Sequence, residues 1–189
     1  MPVTKLEPKT ALIAVDVQKG TLGMSVQAEA ERVVGGTVRL ADAFHAAGLP
    51  VVWVRAVGLP RLRTGLPLPP EKVPGDFSEL HPSLPVKEGD LVADKFGTSA
   101  LVVPEVRAFL QERGVKGVVV NGLATGMGVE STVRAAFDTG YHVTVASDAV
   151  TDPNAERGQN SLRLTLPGFA ELGTVDEILN VLSAQGGKA

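Results

Sequence analysis

The chain has 189 residues, 44% hydrophobic and 21% charged, which is enough apolar sequence for one substantial core, so residues 1–189 read as a single domain. A net charge of −3 offers no basic field for nucleic acid, and the lack of any cysteine removes disulfides, thiolate metal sites and thiol nucleophiles together. The three histidines, at 45, 81 and 142, share no helix face, and no apolar run is long enough to span a membrane; the expectations are no metal, no membrane contact and a cytoplasmic location.

In chain order, "ALIAVDV" at 11–17 is a continuous apolar run with one acid near its end, the pattern of a strand buried on both faces. From Val26 to Ala47 apolar residues recur at helical spacing until Gly48-Leu-Pro50 stops them, although Gly35-Gly36 in the middle costs helix propensity. "VVWVRAV" at 51–57 gives a second strand. A long loop follows from Gly58 to Asp90 with seven of the chain's 13 prolines, read either as a functional lid or binding segment or as a surface excursion or subunit contact.

"LVADK" at 91–95 reads as a short strand and Pro104 to Arg113 as a helix that starts on proline and ends at Gly114. "VKGVVVNG" at 115–122 is a buried strand, Val129 to Thr139 a helix stopped by Gly140, and "YHVTVASDA" at 141–149 another strand. "FAEL" is a last short strand, and Thr174 is placed to N-cap a helix from Val175 to Ser183. Alternating strands and helices imply right-handed crossovers and a three-layer α/β/α fold on a parallel sheet. Ligands in such sheets bind at the carboxyl ends of the strands, where strand order reverses.

Three strand ends carry chemistry. Asp16 closes the first strand and either faces the crevice or orders a neighbouring turn. Lys95, in "DKFGTSAL", is a solvated lysine unless it meets Asp16, in which case the pair can hold a base or stabilise negative charge. "NGLATGMGVEST" at 121–132 is a turn of small residues before a helix, suited to an anion or oxyanion at the unpaired N–H groups, or simply to close packing of strand on helix. The spacing of Gly122, Gly126 and Gly128 does not match a dinucleotide fingerprint, so no cofactor is expected. Glu130 reads as a first-turn acid favoured by the helix dipole.

Taken together, "ALIAVDVQ", "DKFGTSAL" and "NGLATGMGVESTVRAAFDTGYHVTVASDA" resemble the isochorismatase-like hydrolase superfamily across residues 11–149. The resemblance implies a six-stranded parallel sheet and a homo-oligomer, dimer or tetramer. In the cysteine hydrolases of that superfamily an Asp, a Lys and a Cys form the triad, with the Cys attacking an amide carbonyl. The pattern carries over to Asp16 and Lys95, but Gly128 stands at the cysteine's place, and the nearest hydroxyls, Thr125 and Ser131, do not match that position. True isochorismatases are similar to this chain in lacking the thiol; they hydrolyse a vinyl ether, a reaction that proceeds by protonation and water addition.

The resemblance further implies a non-proline cis peptide near Leu123-Ala124 and a substrate site drawn from Gln18, Trp53, Phe96, Leu123, Ala124, Thr125 and Met127, with the core as the alternative place for Trp53. Arg55, Arg61 and Arg63 are candidate anion readers by charge alone. The expected function is hydrolysis of a small molecule, anionic ones included, by water that Asp16 and Lys95 assist. The alternatives are a binding or scaffold member that has lost catalysis, and an amidase whose cysteine was engineered to glycine.

Overall fold

The computed structural model describes residues 3–65 and 72–186. Six strands, β1 (Thr10–Val15), β2 (Val51–Gly58), β3 (Leu91–Phe96), β4 (Gly117–Leu123), β5 (His142–Thr151) and β6 (Glu171–Gly173), form one all-parallel sheet in the order β3-β2-β1-β4-β5-β6. The order reverses between β1 and β4, so the crevice expected of such sheets lies between Asp16 and the end of β4.

The helices in chain order are α1 (Lys19–Leu22), α2 (Gln27–Ala46), α3 (Pro104–Glu112), α4 (Glu130–Asp138), α5 (Ala155–Asn160) and α6 (Val175–Gly186). Strand side chains alternate between two cores. Ala11, Ile13 and Val15 of β1 face Val106 and Leu110 of α3 and Val133 of α4, whereas Leu12 and Ala14 face Leu40 and Phe44 of α2 and Ile178 of α6. This is why the inner strands lack a polar face: both sides are covered.

The expected helix across Gly35-Gly36 forms unbroken, and Gly36 has a packing reason. A Cβ there would lie 2.8 Å from the Cβ of Ala149, so glycine lets α2 lie directly on β5. Thr174 caps α6 reciprocally: its hydroxyl accepts from Glu177 N–H at 3.2 Å, and its own N–H donates to the Glu177 carboxylate at 2.8 Å.

The last strand falls at 171–173 rather than 169–172, because Phe169 and Ala170 donate their N–H groups to Leu166 O in the preceding turn. Helices α1 and α5 were not expected from periodicity; both are too short to show one. Of the long proline-rich loop, 66–71 lies outside the described residues. Its segment 77–81 runs antiparallel to 17–20, with Lys19 N–H bonded to Glu79 O, Gly20 N–H to Phe77 O and His81 N–H to Val17 O. That pairing makes the loop a wall of the crevice. Among the described residues no helix is long and apolar enough to cross a membrane.

Candidate active site

At the end of β1 the chain turns sharply, and Asp16 takes a left-handed backbone conformation with φ 53°, one that short polar residues tolerate better than branched ones. Two bonds fix the kink: Asp16 N–H donates to Val54 O at 2.8 Å, and the Thr21 hydroxyl donates to Asp16 O. The carboxylate is thereby aimed into the crevice instead of into a neighbouring strand.

Lys95 on β3 is paired in register with Ala56 on β2, a residue small enough for the lysine to reach across. Its ammonium lies 2.8 Å from Asp16 Oδ2 and donates to Gly97 O at 3.0 Å, with only 2% of the side chain exposed. Burial pushes the Asp16 carboxyl up from 3.8 to about 6. The charge and hydrogen bond of Lys95 pull it back in part, with a smaller pull from Ala56 N–H, which is itself bonded to Gln18 Oε1 at 2.7 Å. Asp16 Oδ1 is buried with no hydrogen-bond partner among the described residues. The result is a carboxyl that exchanges its proton near neutrality beside a fixed cation.

Near the end of β4 the backbone bends at Gly122, whose φ is 114° and where a Cβ would lie 2.0 Å from Val15 O; only glycine fits. The Leu123-Ala124 peptide is cis, as the resemblance implied. A single wide turn, Thr125–Val129, then leads into α4. Met127 and Val129 N–H groups both return to Ala124 O, and Gly126 N–H goes to Asp152 Oδ2 at 2.9 Å, so these donors are occupied. Ala124 N–H, on the crevice wall, has no acceptor among the described residues.

Gly128 faces the pair. A Cβ built there lies 3.3 Å from Asp16 Oδ2, so a side chain at 128 would point at the carboxylate, as a nucleophile at this place must. The same Cβ would be 2.6 Å from Leu123 O, too close for carbon. The turn is closed down around glycine.

These residues border a cavity of about 390 Å³. Met24, Leu59, Val73, Pro74, Phe77 and Met127 are large apolar parts of its wall, and Asp16, Lys95, Thr21, Thr98 and Arg157 supply polar points. Of the residues expected at a substrate site, Leu123, Ala124 and Met127 border the cavity with the Asp16, Lys95 and Gly128 cluster, and four do not.

Trp53 is fully buried in the opposite core, its indole N–H donating to Asp90 Oδ2 at 2.8 Å; β2 is covered on both faces, so its parity gave no warning. Phe96 is 61% exposed and packs over Gly58 on the sheet edge. Thr125 is buried beneath the turn against Gly158 and Ser161. Gln18 is buried one layer behind the cavity, its amide bridging Ala56 N–H, Ala56 O and Phe77 O, so it holds the wall and does not form it. Arg55 pairs with Asp94, and neither Arg61 nor Arg63 borders the cavity.

Arg157, Phe77, Thr21 and Met24 were missed. The signal for Arg157 is "DPNAER", a turn followed by an Asn cap: Asn154 Oδ1 accepts Arg157 N–H at 3.0 Å, which starts α5 with the arginine in its first turn. Phe77 lies in the loop, where no periodicity points to a face. No group of three or more His, Cys, Asp or Glu is placed to hold a metal among the described residues.

Comparison with known proteins adds an independent line. Residues 10–177 match the Isochorismatase domain family. Over 180 residues the chain is 31% identical to the uncharacterised isochorismatase family protein YecD of Escherichia coli O157:H7, covering 92% of this chain and 96% of that protein. It also superposes with a TM-score of 0.88 and 32% identity on an isochorismatase family protein from Burkholderia thailandensis, covering 95% and 98% of the two chains. A shorter similarity, 28% over 109 residues, reaches a ureidoacrylate amidohydrolase of Pseudomonas syringae, covering 57% of this chain and 44% of that enzyme.

Proposed function

The chain belongs to the isochorismatase family of hydrolases, and from that premise we propose that it hydrolyses a small molecule by attack of water, with Asp16 moving the proton and no protein nucleophile. The observation that carries this reading is the buried Asp16–Lys95 pair, 2.8 Å apart, facing the hollow at Gly128. A thiol hydrolase needs a side chain at that point; this site has the acid–base partner alone.

A carboxyl near 6 remains protonated in about one molecule in ten at pH 7, an adequate population for general acid catalysis. For a vinyl ether, the Asp16 carboxyl protonates the enol carbon and an oxocarbenium ion forms. Proton loss regenerates the carboxylate beside Lys95, so the ion pair stabilises the product of that step. Water adds to the oxocarbenium carbon, Asp16 takes up the water's proton, and the hemiketal collapses to a carbonyl compound and an alcohol. Ala124 N–H is placed to donate to a polar atom of the substrate, and the Thr21 hydroxyl, whose proton goes to Asp16 O, to accept from one.

The apolar wall and the volume favour a compact substrate with at most one or two polar ends. With Arg55, Arg61 and Arg63 off the cavity and Lys95 committed to Asp16, a ring bearing two carboxylates has no cation for each of them, so isochorismate itself is not the favoured substrate. Mass spectrometry of vinyl ethers, amides and cyclic imides incubated with the protein tests the proposal. An Asp16-dependent product supports hydrolysis, whereas saturable binding without product selects the binding-only alternative.

A further inference from the structure

The least expected part of the cavity is its outer polar corner. Asp152, with 1% of its side chain exposed, receives four donors: Gly126 N–H at 2.9 Å, Asn154 N–H at 2.8 Å, and Arg157 through Nε at 3.0 Å and Nη2 at 2.6 Å. Space for this pair is cleared by two glycines. A Cβ on Gly126 would lie 2.5 Å from Arg157 Cγ, and one on Gly158 would lie 2.8 Å from Asp152 Cβ. The arginine is therefore locked along one edge of its fork.

Its other edge, Nη1 with the second N–H of Nη2, meets no acceptor among the described residues, and the side chain borders the cavity with 34% of its surface exposed. A guanidinium held on one edge and open on the other loses little entropy when it binds a planar anion, and its two parallel N–H groups match a carboxylate. Asp152 offsets part of the Arg157 charge but occupies only one edge of its fork, so the two N–H donors of the other edge stay available. The cavity lining itself carries two cations, Lys95 and Arg157, against the single carboxyl of Asp16.

We infer that Arg157 is a carboxylate-reading residue: the substrate is a monocarboxylate whose charged end docks on the open edge of Arg157 while its apolar body fills the cavity toward Asp16 and Gly128. This rests on the cavity being the substrate site of the proposed hydrolase, and it names the substrate class. It also gives Asp152 a positioning role, since the carboxylate that orients Arg157 also ties down Gly126 in the turn that carries Gly128. Substrate charge and turn geometry are thereby coupled through one side chain.

Binding alone tests it, without turnover. Benzoate, cyclohexanecarboxylate and short aliphatic monocarboxylates are each titrated against their primary amides by calorimetry, on the wild-type protein and on Arg157→Met and Arg157→Lys. At least one acid is expected to bind about tenfold or more tightly than its amide, and Arg157→Met to abolish that preference. Arg157→Lys, which keeps the charge but loses the fork, is expected to recover only part of the preference.

The Arg157 Nε–H resonance of the wild-type protein, which needs no variant to fold, is expected to shift on titration with the acid and not with the amide. The inference is overturned if no acid of the series binds better than its amide, if Arg157→Met keeps the preference, or if that resonance stays still. A reaction that proves independent of Asp16 would sink the hydrolytic mechanism and leave these binding results standing, so the two failures are distinguishable.

Discussion

Replacing Gly128 by alanine tests whether the turn is closed around an absent side chain. The added Cβ would lie 2.6 Å from Leu123 O, 3.1 Å from Val15 Cγ1 and 3.3 Å from Asp16 Oδ2. Ordinary van der Waals contact begins near 3.4 Å, so the worst contact is short by about 0.8 Å, and it is made with a backbone carbonyl at the end of a central strand that cannot rotate away. Overpacking of this kind costs about 1–3 kcal/mol.

Against it stands the gain from removing a glycine, about 1 kcal/mol in a helical setting. The clash outweighs the gain, and the expected net loss is up to about 2 kcal/mol, or up to about 8 °C in melting temperature for a chain of this size. Gly35→Ala is the internal control: Gly35 is also helical, but a Cβ there meets nothing within 4 Å, so that variant is expected to gain up to about 1 kcal/mol. Urea unfolding of the two variants beside the wild type reads both signs. If Gly128→Ala is as stable as Gly35→Ala, the turn has slack and the argument for a closed, thiol-free site is wrong.

Three further outcomes follow from the same contacts. Burial raises Asp16 from 3.8 to about 6, so its contribution to stability is fully present below about 4 and is lost as pH rises through 6; that shift is worth about 3 kcal/mol. Urea midpoints of wild type and Asp16→Asn between pH 4 and 7 are expected to show the wild type losing ground as pH rises, and a flat difference would contradict the shift. Lys95→Met removes the cation that holds the carboxyl down, so its destabilisation is expected to be larger at pH 8, about 3 kcal/mol, than at pH 5, where Asp16 is already largely neutral. Equal losses at both pH values would show that the pair is not ionised in the fold. Trp53→Phe forfeits the bond to Asp90 in the opposite core and is expected to cost about 1–2 kcal/mol with ligand affinity unchanged; a tenfold change in affinity would return Trp53 to the site.

The layers of the fold were legible because they rest on long patterns. Buried apolar runs mark β1, β2, β4 and β5, and the Thr174 cap marks the last helix. The convergence of Asp16, Lys95 and Gly128 on one crevice was legible too, since each lies at a strand end or just beyond one, and the resemblance covers all three. What periodicity does not carry is the identity of the wall. Trp53 lies close in sequence to cavity residues yet faces a core, because a strand covered on both sides gives no parity signal, and Gln18 lies in the irregular turn after β1, where its amide bonds to Ala56 and Phe77 set its direction. Phe77 reaches the cavity through a loop paired to 17–20, and Arg157 through a six-residue helix, both too irregular to announce a face.

The central claim, that Asp16 carries the reaction in place of a protein nucleophile, is tested most directly by the turnover of Asp16→Asn on a substrate found by the product screen, at pH 6 with the fold verified. Loss of the proton-transfer group is expected to lower kcat by about 10²–10⁴-fold, with the fold retained. Full turnover by Asp16→Asn would contradict the account.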